Sequence, residues 1–185
     1  MVNVMTNDIY PLSTDPVTVI EEFNGRTRGI VLKNFYFKLI SAPSGTEIVD
    51  NWPTTGTEAT SVQINVRSKQ IIHLERDIFA IELIYDCDCK VNLKTNEGSG
   101  FSFNGNVSVE FRAKVYDYES GCFLDDVCLC SMSSQVPFYQ INGAYYSFIG
   151  EGYSPDHFGK TYELGIGGKT YYYDYDNGIF EIRTE

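Results

Sequence analysis

Cysteine is the residue type whose spacing in this chain most directly suggests chemistry. Four of the five cysteines form two C-x-C pairs, Cys87 with Cys89 and Cys128 with Cys130. Since residues i and i+2 of a β-strand point to the same face, each pair would present two sulfurs together. If the two segments are neighbours, four sulfurs meet, and two cross-strand disulfides or a four-thiolate zinc site can form.

The spacing and surroundings of these cysteines favour buried thiols over a zinc site. Zinc knuckles separate their cysteines by about two to four residues, whereas a single residue intervenes here. Cys87 and Cys89 continue the apolar side of their segment, and free cysteine is among the most buried residue types. We therefore predict a cluster of buried thiols without metal or cofactor, with disulfides and then zinc as the alternatives. Cys122 is the odd one of the five and a candidate for a surface or intermolecular contact.

Aromatic residues form a second candidate binding group, concentrated in two C-terminal segments, 141–148 (INGAYYSF) and 166–174 (IGGKTYYYD). These segments resemble the repeats of choline- and glucan-binding cell-wall modules, although the usual tryptophan is absent and two copies are present. The resemblance implies that tyrosine rings stack on sugar rings or on a quaternary amine. Trp52, the only tryptophan, lies in a loop and is either a lid over the core or a contact anchor. The candidate contacts for a glycan or a protein partner are Trp52, Tyr145, Tyr146, Tyr171, Tyr172 and Tyr173.

The sequence contains no catalytic signature. Its two histidines, His73 and His157, lie in an apolar strand-like segment and in a loop, and no G-x-S-x-G turn supplies a nucleophile. Asp156 and His157 could be part of a catalytic group, but no partner motif that supplies a nucleophile accompanies them. We therefore predict that the protein is not an enzyme.

The elements that must position the first cysteine pair are two long runs with strict alternation. In 78–94 the odd positions from residue 79 onward are apolar or cysteine, and in 101–118 most odd positions are apolar and alternate with Ser, Asn and charged residues. Such alternation predicts strands with one buried and one solvated face. The residues between the runs, TNEGSG, are polar and glycine-rich, as in a hairpin connection. We predict one long central β-hairpin.

The remaining segments predict an all-β fold. Residues 30–40 are almost continuously apolar, which is consistent with a strand buried on both faces or at a sheet interface. Residues 136–185 predict a tyrosine-rich β-meander that begins with a hairpin at the Asn142-Gly143 turn. We expect one domain over 30–185, an antiparallel β-sandwich of jelly-roll type.

Residues 1–29 are predicted to form an N-terminal arm. Pro11 and Pro16 interrupt both strands and helices, and the one candidate helical turn is 16–23, with Asp15 as its cap. Such an arm lies along its own domain or reaches a neighbouring subunit.

Charge and hydropathy exclude several classes of partner. The net charge of −11 is opposite to the charge that binds phosphates, so neither nucleic acid nor an anionic lipid surface is an expected partner. The N-terminus lacks the basic and apolar segments of a signal peptide, and no apolar run approaches transmembrane length. We therefore expect synthesis in the cytoplasm, followed by incorporation into a particle or by release on lysis.

Three functions are compatible with these features. The favoured one is a non-enzymatic structural subunit of a larger assembly, such as a virion, filament or coat. Its arm and sheet edges would contact protein neighbours, including copies of the same chain. The second is a glycan-binding module that uses the C-terminal tyrosines. The third is a pore-forming toxin that inserts the long hairpin into a bilayer, which about ten alternating residues per strand suffice to span.

Overall fold

The chain forms an antiparallel β-sheet in a computed structural model that describes residues 2–23, 26–53, 59–73, 78–151, 158–164, 169–174 and 179–184. The strands in these ranges are β1 (Asn3–Pro11), β2 (Val17–Phe23), β3 (Arg26–Pro43), β4 (Glu47–Val49), β5 (Ser61–His73), β6 (Ile78–Thr95), β7 (Ser102–Asp117), β8 (Phe123–Ile141), β9 (Ala144–Glu151), β10 (Phe158–Leu164), β11 (Lys169–Asp174) and β12 (Ile179–Thr184). Every described pairing is antiparallel, and the predicted all-β class is confirmed.

The described strands belong to one sheet that is nearly closed into a barrel. Along the sheet the order is β2, β3, β7, β8, β9, β6 and β5, and β2 approaches β5 at the remaining gap. Three pairs of strands lie end to end beside a shared partner. β1 and β2 pair with successive parts of β3, and β4 and β5 do so with β6. β9 and β10 likewise pair with successive parts of β6. β10 then pairs with β11, and β11 with β12. The curled sheet encloses a hydrophobic core.

The two long alternating runs form β6 and β7, as predicted, but these strands do not pair with each other. Odd-numbered side chains from Ile81 to Leu93 and from Val107 to Val115 are buried. β6 pairs with β5 and β9, and β7 pairs with β3 and β8, so the predicted central hairpin is wrong. Alternation specifies which face of a strand is buried, but it does not specify which strand lies alongside. The long hairpin of this fold is β7–β8, whose turn contains Gly121 with a φ of 76°.

A bulge in β3 explains the nearly continuous apolar sequence of this strand. Asn34 has a φ of 56° and lies at a register shift against β7. Ile30 and Leu32 point into the core before the bulge, whereas Phe35 and Phe37 do so after it. The extra residue changes the phase of the alternation. The prediction that both faces are buried is therefore wrong over most of the strand, because most side chains of the opposite face reach solvent.

The N-terminal segment lies along its own domain, which is one of the two arrangements expected for it. β1 begins its pairing with β3 at Asn3 and Pro43, and β2 begins its pairing at Val17 and Leu32. The helical turn predicted at 16–23 is wrong, because this segment forms β2. Its run of Val, Thr, Val and Ile favours the extended conformation.

The C-terminal strands form the predicted hairpins but not one continuous meander. β8 and β9 are joined at Asn142 and Gly143, which both have positive φ, 51° and 85°. A two-residue turn with this geometry matches the twist of the flanking strands, so the predicted hairpin is confirmed. β10, β11 and β12 pair in sequence order, but in the described part of the chain β10 pairs with β6 and not with β9, so the meander predicted over 136–185 is interrupted after β9. In the described ranges, no helix has the length and apolarity needed to cross a membrane.

Candidate functional site

Three cysteine side chains meet in the core between β6 and β8. β6 supplies Cys87 and Cys89, β8 supplies Cys130, and their sulfur atoms all lie within 4.8 Å of one another. These side chains are almost fully buried, between 1% and 6% exposed. Cys87 Sγ also donates a hydrogen bond to the carbonyl oxygen of Leu129 at 3.3 Å, which links β6 to β8 across the core.

A bulge in β8 decides which cysteines join this thiol cluster. Phe111 and Arg112 of β7 pair with Cys130 and Cys128, so Leu129 is an extra residue in β8. Both Leu129 and Cys130 are consequently buried, whereas Cys128 is half-buried and outside the group of three sulfurs. The structure therefore brings together three of the four cysteines that the sequence suggested.

The neutral thiol form is favoured for Cys87 and Cys89. Hydrogen bonding with Cys130 and burial raise the pKa of Cys87, and hydrogen bonds with Cys130 and Cys87, together with burial, raise the pKa of Cys89. Burial likewise raises the pKa of Cys128 to about 11. Since the thiolate is the nucleophilic form of cysteine, the cluster is a set of soft donors and not an activated nucleophile. Cys122 is exposed and lies outside it.

A groove opens where β8 and β9 separate. The strands pair next to their turn, over 139–141 and 144–146; farther from the turn, β8 continues beside β7 and β9 beside β6. The resulting groove is largely apolar and has a volume of about 410 Å³. Its lining residues are Trp52, Ser134, Val136, Pro137, Tyr139, Ser147, Phe148, Ile149 and Gly150.

Trp52 forms one wall of the groove. Its indole Nε1 donates a hydrogen bond to the Ser147 carbonyl oxygen at 3.1 Å, and its ring centroid lies 6.3 Å from those of Tyr146 and Phe148. The Trp52 side chain is half-buried, while Tyr139 and Phe148 are each 50% exposed. Aromatic faces are therefore accessible to a ligand in this groove.

Tyr145 and Tyr146, which the sequence suggested as contacts, do not line the groove. Tyr145 and Tyr146 are buried, at 4% and 8% exposure, and the Tyr145 hydroxyl donates to the Gly100 carbonyl oxygen at 2.6 Å. Tyr145 belongs to the hydrophobic core, whereas Tyr146 lies on the opposite face of β9, against Trp52. Outside the described part of the chain lie the side chains of Tyr171, Tyr172, Tyr173 and His73 and the whole of Asp156 and His157.

Tyr139 and Phe148 line the groove but were not among the predicted contacts. Tyr139 follows the buried Phe138 in β8, and Phe148 precedes the buried Ile149 in β9. Alternation along each strand was the available signal, because it assigns both aromatic rings to the outer face. The proximity of the two rings results from the separation of β8 and β9, which alternation does not predict.

β1 forms an outer edge of the sheet. It pairs with β3 along one side, and no strand in the described ranges pairs with its other side. Three apolar residues on or next to this strand, Val2, Met5 and Ile9, are 73%, 71% and 58% exposed. Asn7, with a φ of 53°, lies at a register shift within the strand. A strand edge with exposed apolar side chains is a surface to which another chain can add.

No protein-family model matches this chain, and no curated protein or solved structure is significantly similar to it. Its function is therefore inferred from the geometry of the described residues.

Proposed function

We propose that this protein is a non-enzymatic structural subunit of a larger assembly and that it contacts its neighbours along β1. The supporting observation is an edge strand, unpaired on its outer side in the described part of the chain, with Val2, Met5 and Ile9 exposed. Burial of one large apolar side chain contributes about 1.5–3 kcal/mol. An added strand also supplies partners for the backbone groups of the edge.

A second copy of the chain is the neighbour that we propose for this edge. Antiparallel addition of β1 to β1 about a twofold axis uses the same surface on both copies. Each copy carries a net charge of −11, and the repulsion between copies weakens as salt screens it. Assembly should therefore become stronger as the salt concentration rises.

Size-exclusion chromatography with light scattering tests this contact. The wild-type chain should form dimers, and the double variant Met5→Lys/Ile9→Lys should be monomeric, because it places two charges on the edge. Phe101→Lys/Phe123→Lys is the matched control, since these side chains are 91% and 56% exposed and lie outside β1. A wild-type protein that stays monomeric at every salt concentration contradicts the proposal.

The proposal includes the finer architecture, a β-sandwich of jelly-roll type. It is supported by hydrogen bonds that cross the core between β6 and β8. The Tyr85 hydroxyl donates to the Cys128 carbonyl oxygen at 3.1 Å, in addition to the bond from Cys87 to Leu129. Strands that face each other through a core in this way resemble the two packed sheets of a sandwich.

Glycan binding in the groove between β8 and β9 is a second candidate function. It is favoured by the accessible rings of Tyr139 and Phe148 beside Trp52. Aromatic rings combine large apolar faces with little conformational freedom, which suits them to stacking against a flat ligand.

The fluorescence of Trp52 reports on this groove, because the chain has a single tryptophan. A bound sugar should change its emission, and Phe148→Ala should weaken binding by about tenfold or more, which is about 1.4 kcal/mol. Phe123→Ala is the control, since Phe123 is exposed outside the groove. An emission spectrum unchanged by every sugar of a glycan library would remove this candidate.

Pore formation is not proposed. The hairpin on which it depended does not form, since β6 and β7 pair with other strands. The apolar faces of both strands line the core of the protein.

A further inference from the structure

We propose that Cys87, Cys89 and Cys130 form a three-sulfur binding site for a trivalent thiophilic ion, for which arsenite is the probe. The three sulfur atoms already lie within 4.8 Å of one another and converge from two strands. Sulfurs that share one ion at about 2.3 Å are at most about 4 Å apart, so side-chain shifts of about 1 Å close the site. The site is independent of the β1 edge and of the aromatic groove.

Three sulfurs favour an ion with three ligands over zinc, which takes four in structural sites. Structural zinc takes four ligands in almost all sites, whereas three cysteines meet here and Cys128 is outside the group. The carbonyl oxygen of Leu129 accepts a hydrogen bond from Cys87 Sγ, but it is a hard donor, and a soft ion prefers sulfur to it. An ion that is satisfied by three sulfurs therefore fits this geometry better than zinc does.

Charge selects among the soft ions. The three side chains belong to the hydrophobic core, where an unbalanced charge costs several kcal/mol. Three thiolates leave a double negative charge around a monovalent ion and a single one around a divalent ion. Around a trivalent ion the complex is neutral, so burial opposes its formation least.

The binding step balances without a redox change. Arsenite, As(OH)₃, reacts with three thiols: three S–H and three As–O bonds break, three As–S bonds form and three waters leave. Arsenic stays trivalent, and no oxidant or reductant is required. Because the cluster is buried, the ion enters when β6 and β8 open locally or during folding.

Mass spectrometry of the intact, folded and reduced protein tests the site. After incubation with arsenite, or refolding with it, we expect one arsenic per chain, with a mass that shows loss of all three hydroxyls. Cys89→Ala and Cys130→Ala should each lose this species and form at most an adduct that keeps one hydroxyl. Cys128→Ala and Cys122→Ala are the matched controls and should retain it, because their sulfurs lie outside the cluster.

Arsenic X-ray absorption of the wild-type adduct gives a second measurement that needs no variant. Three sulfur neighbours and no oxygen are expected around arsenic. The proposal is overturned if arsenic retains an oxygen neighbour, if no adduct forms by either route, or if Cys128→Ala abolishes the adduct while folding normally. It is equally overturned if Cys89→Ala, folded by circular dichroism, still forms the three-sulfur species.

Discussion

The indole Nε1 of Trp52 donates a hydrogen bond to the carbonyl oxygen of Ser147 at 3.1 Å, although 95 positions separate the two residues in the chain. The bond ties the loop that follows β4 to β9, at the place where β9 has separated from β8. The aromatic groove is thus built jointly by two diverging strands and by one side chain from a distant loop.

Replacement of this indole tests its structural contribution. Trp52→Phe keeps an aromatic ring but removes the donor to Ser147, so the free energy of unfolding should fall by about 1–2 kcal/mol. Urea unfolding followed by circular dichroism measures the change. Tyr139→Phe, at a 50% exposed position of the same groove, is the control and should have little effect. Equal midpoints for both variants would show that the Trp52 bond is not stabilising.

Gly29 tests the close approach of β2 to β3. A Cβ atom at this position would collide with the carbonyl oxygen of Val19, a backbone atom of β2 that cannot rotate away. Gly29→Ala should therefore destabilise the protein by about 1–3 kcal/mol. Thermal unfolding provides the measurement, with the exposed β2 substitution Thr18→Ala as the control. A Gly29→Ala protein as stable as wild type would contradict the described pairing.

Thiol reactivity should distinguish the five cysteines. Cys122 is exposed and should react rapidly with a thiol reagent at pH 8, the half-buried Cys128 should react slowly, and the buried Cys87, Cys89 and Cys130 should react only after unfolding. Since burial raises the pKa of Cys128 to about 11, its labelling rate should increase as the pH rises toward that value. Mass spectrometry of labelled peptides identifies each site. Rapid labelling of Cys87 or Cys89 in folded protein at pH 8 would refute the buried cluster.

The hydroxyl of Tyr36 should contribute a pH-dependent increment of stability. It donates to Asp126 Oδ2 at 2.8 Å, and burial, with this hydrogen bond, raises the pKa of Tyr36 above its ordinary value of 10.0. Because the raised pKa belongs to the folded state, the increment is complete below about pH 10 and is lost as pH rises through the folded-state pKa.

Tyr36→Phe should accordingly cost about 1 kcal/mol between pH 6 and 9, which is the contribution of a hydrogen bond at a partly buried site. The difference from wild type should shrink above about pH 10. Urea unfolding across this pH range measures it, and Tyr139→Phe again serves as the exposed control. A difference that grows above pH 10 would contradict the assigned hydrogen bond.

The sequence by itself determined the two long alternating strands, the faces that they bury and one hairpin turn. The alternating runs became β6 and β7 with the odd-numbered side chains inside, and the Asn142-Gly143 turn became a hairpin. These features are local, because period-two alternation and a two-residue turn need no information from distant parts of the chain. The meeting of Cys87 with Cys89 on one face of β6 followed from the same rule.

The tertiary structure alone decided which strands lie side by side and where the alternation changes phase. β6 and β7 had the same pattern as two arms of a hairpin, yet each pairs with other strands. Bulges at Asn34 and Leu129 moved the following residues of β3 and β8 to the opposite face, which brought Cys130 into the core and left Cys128 outside. The physical reason is that burial of its apolar face stabilises a strand equally, whichever neighbouring strand covers that face. Neighbour and phase are therefore selected by packing among residues that are far apart in the chain.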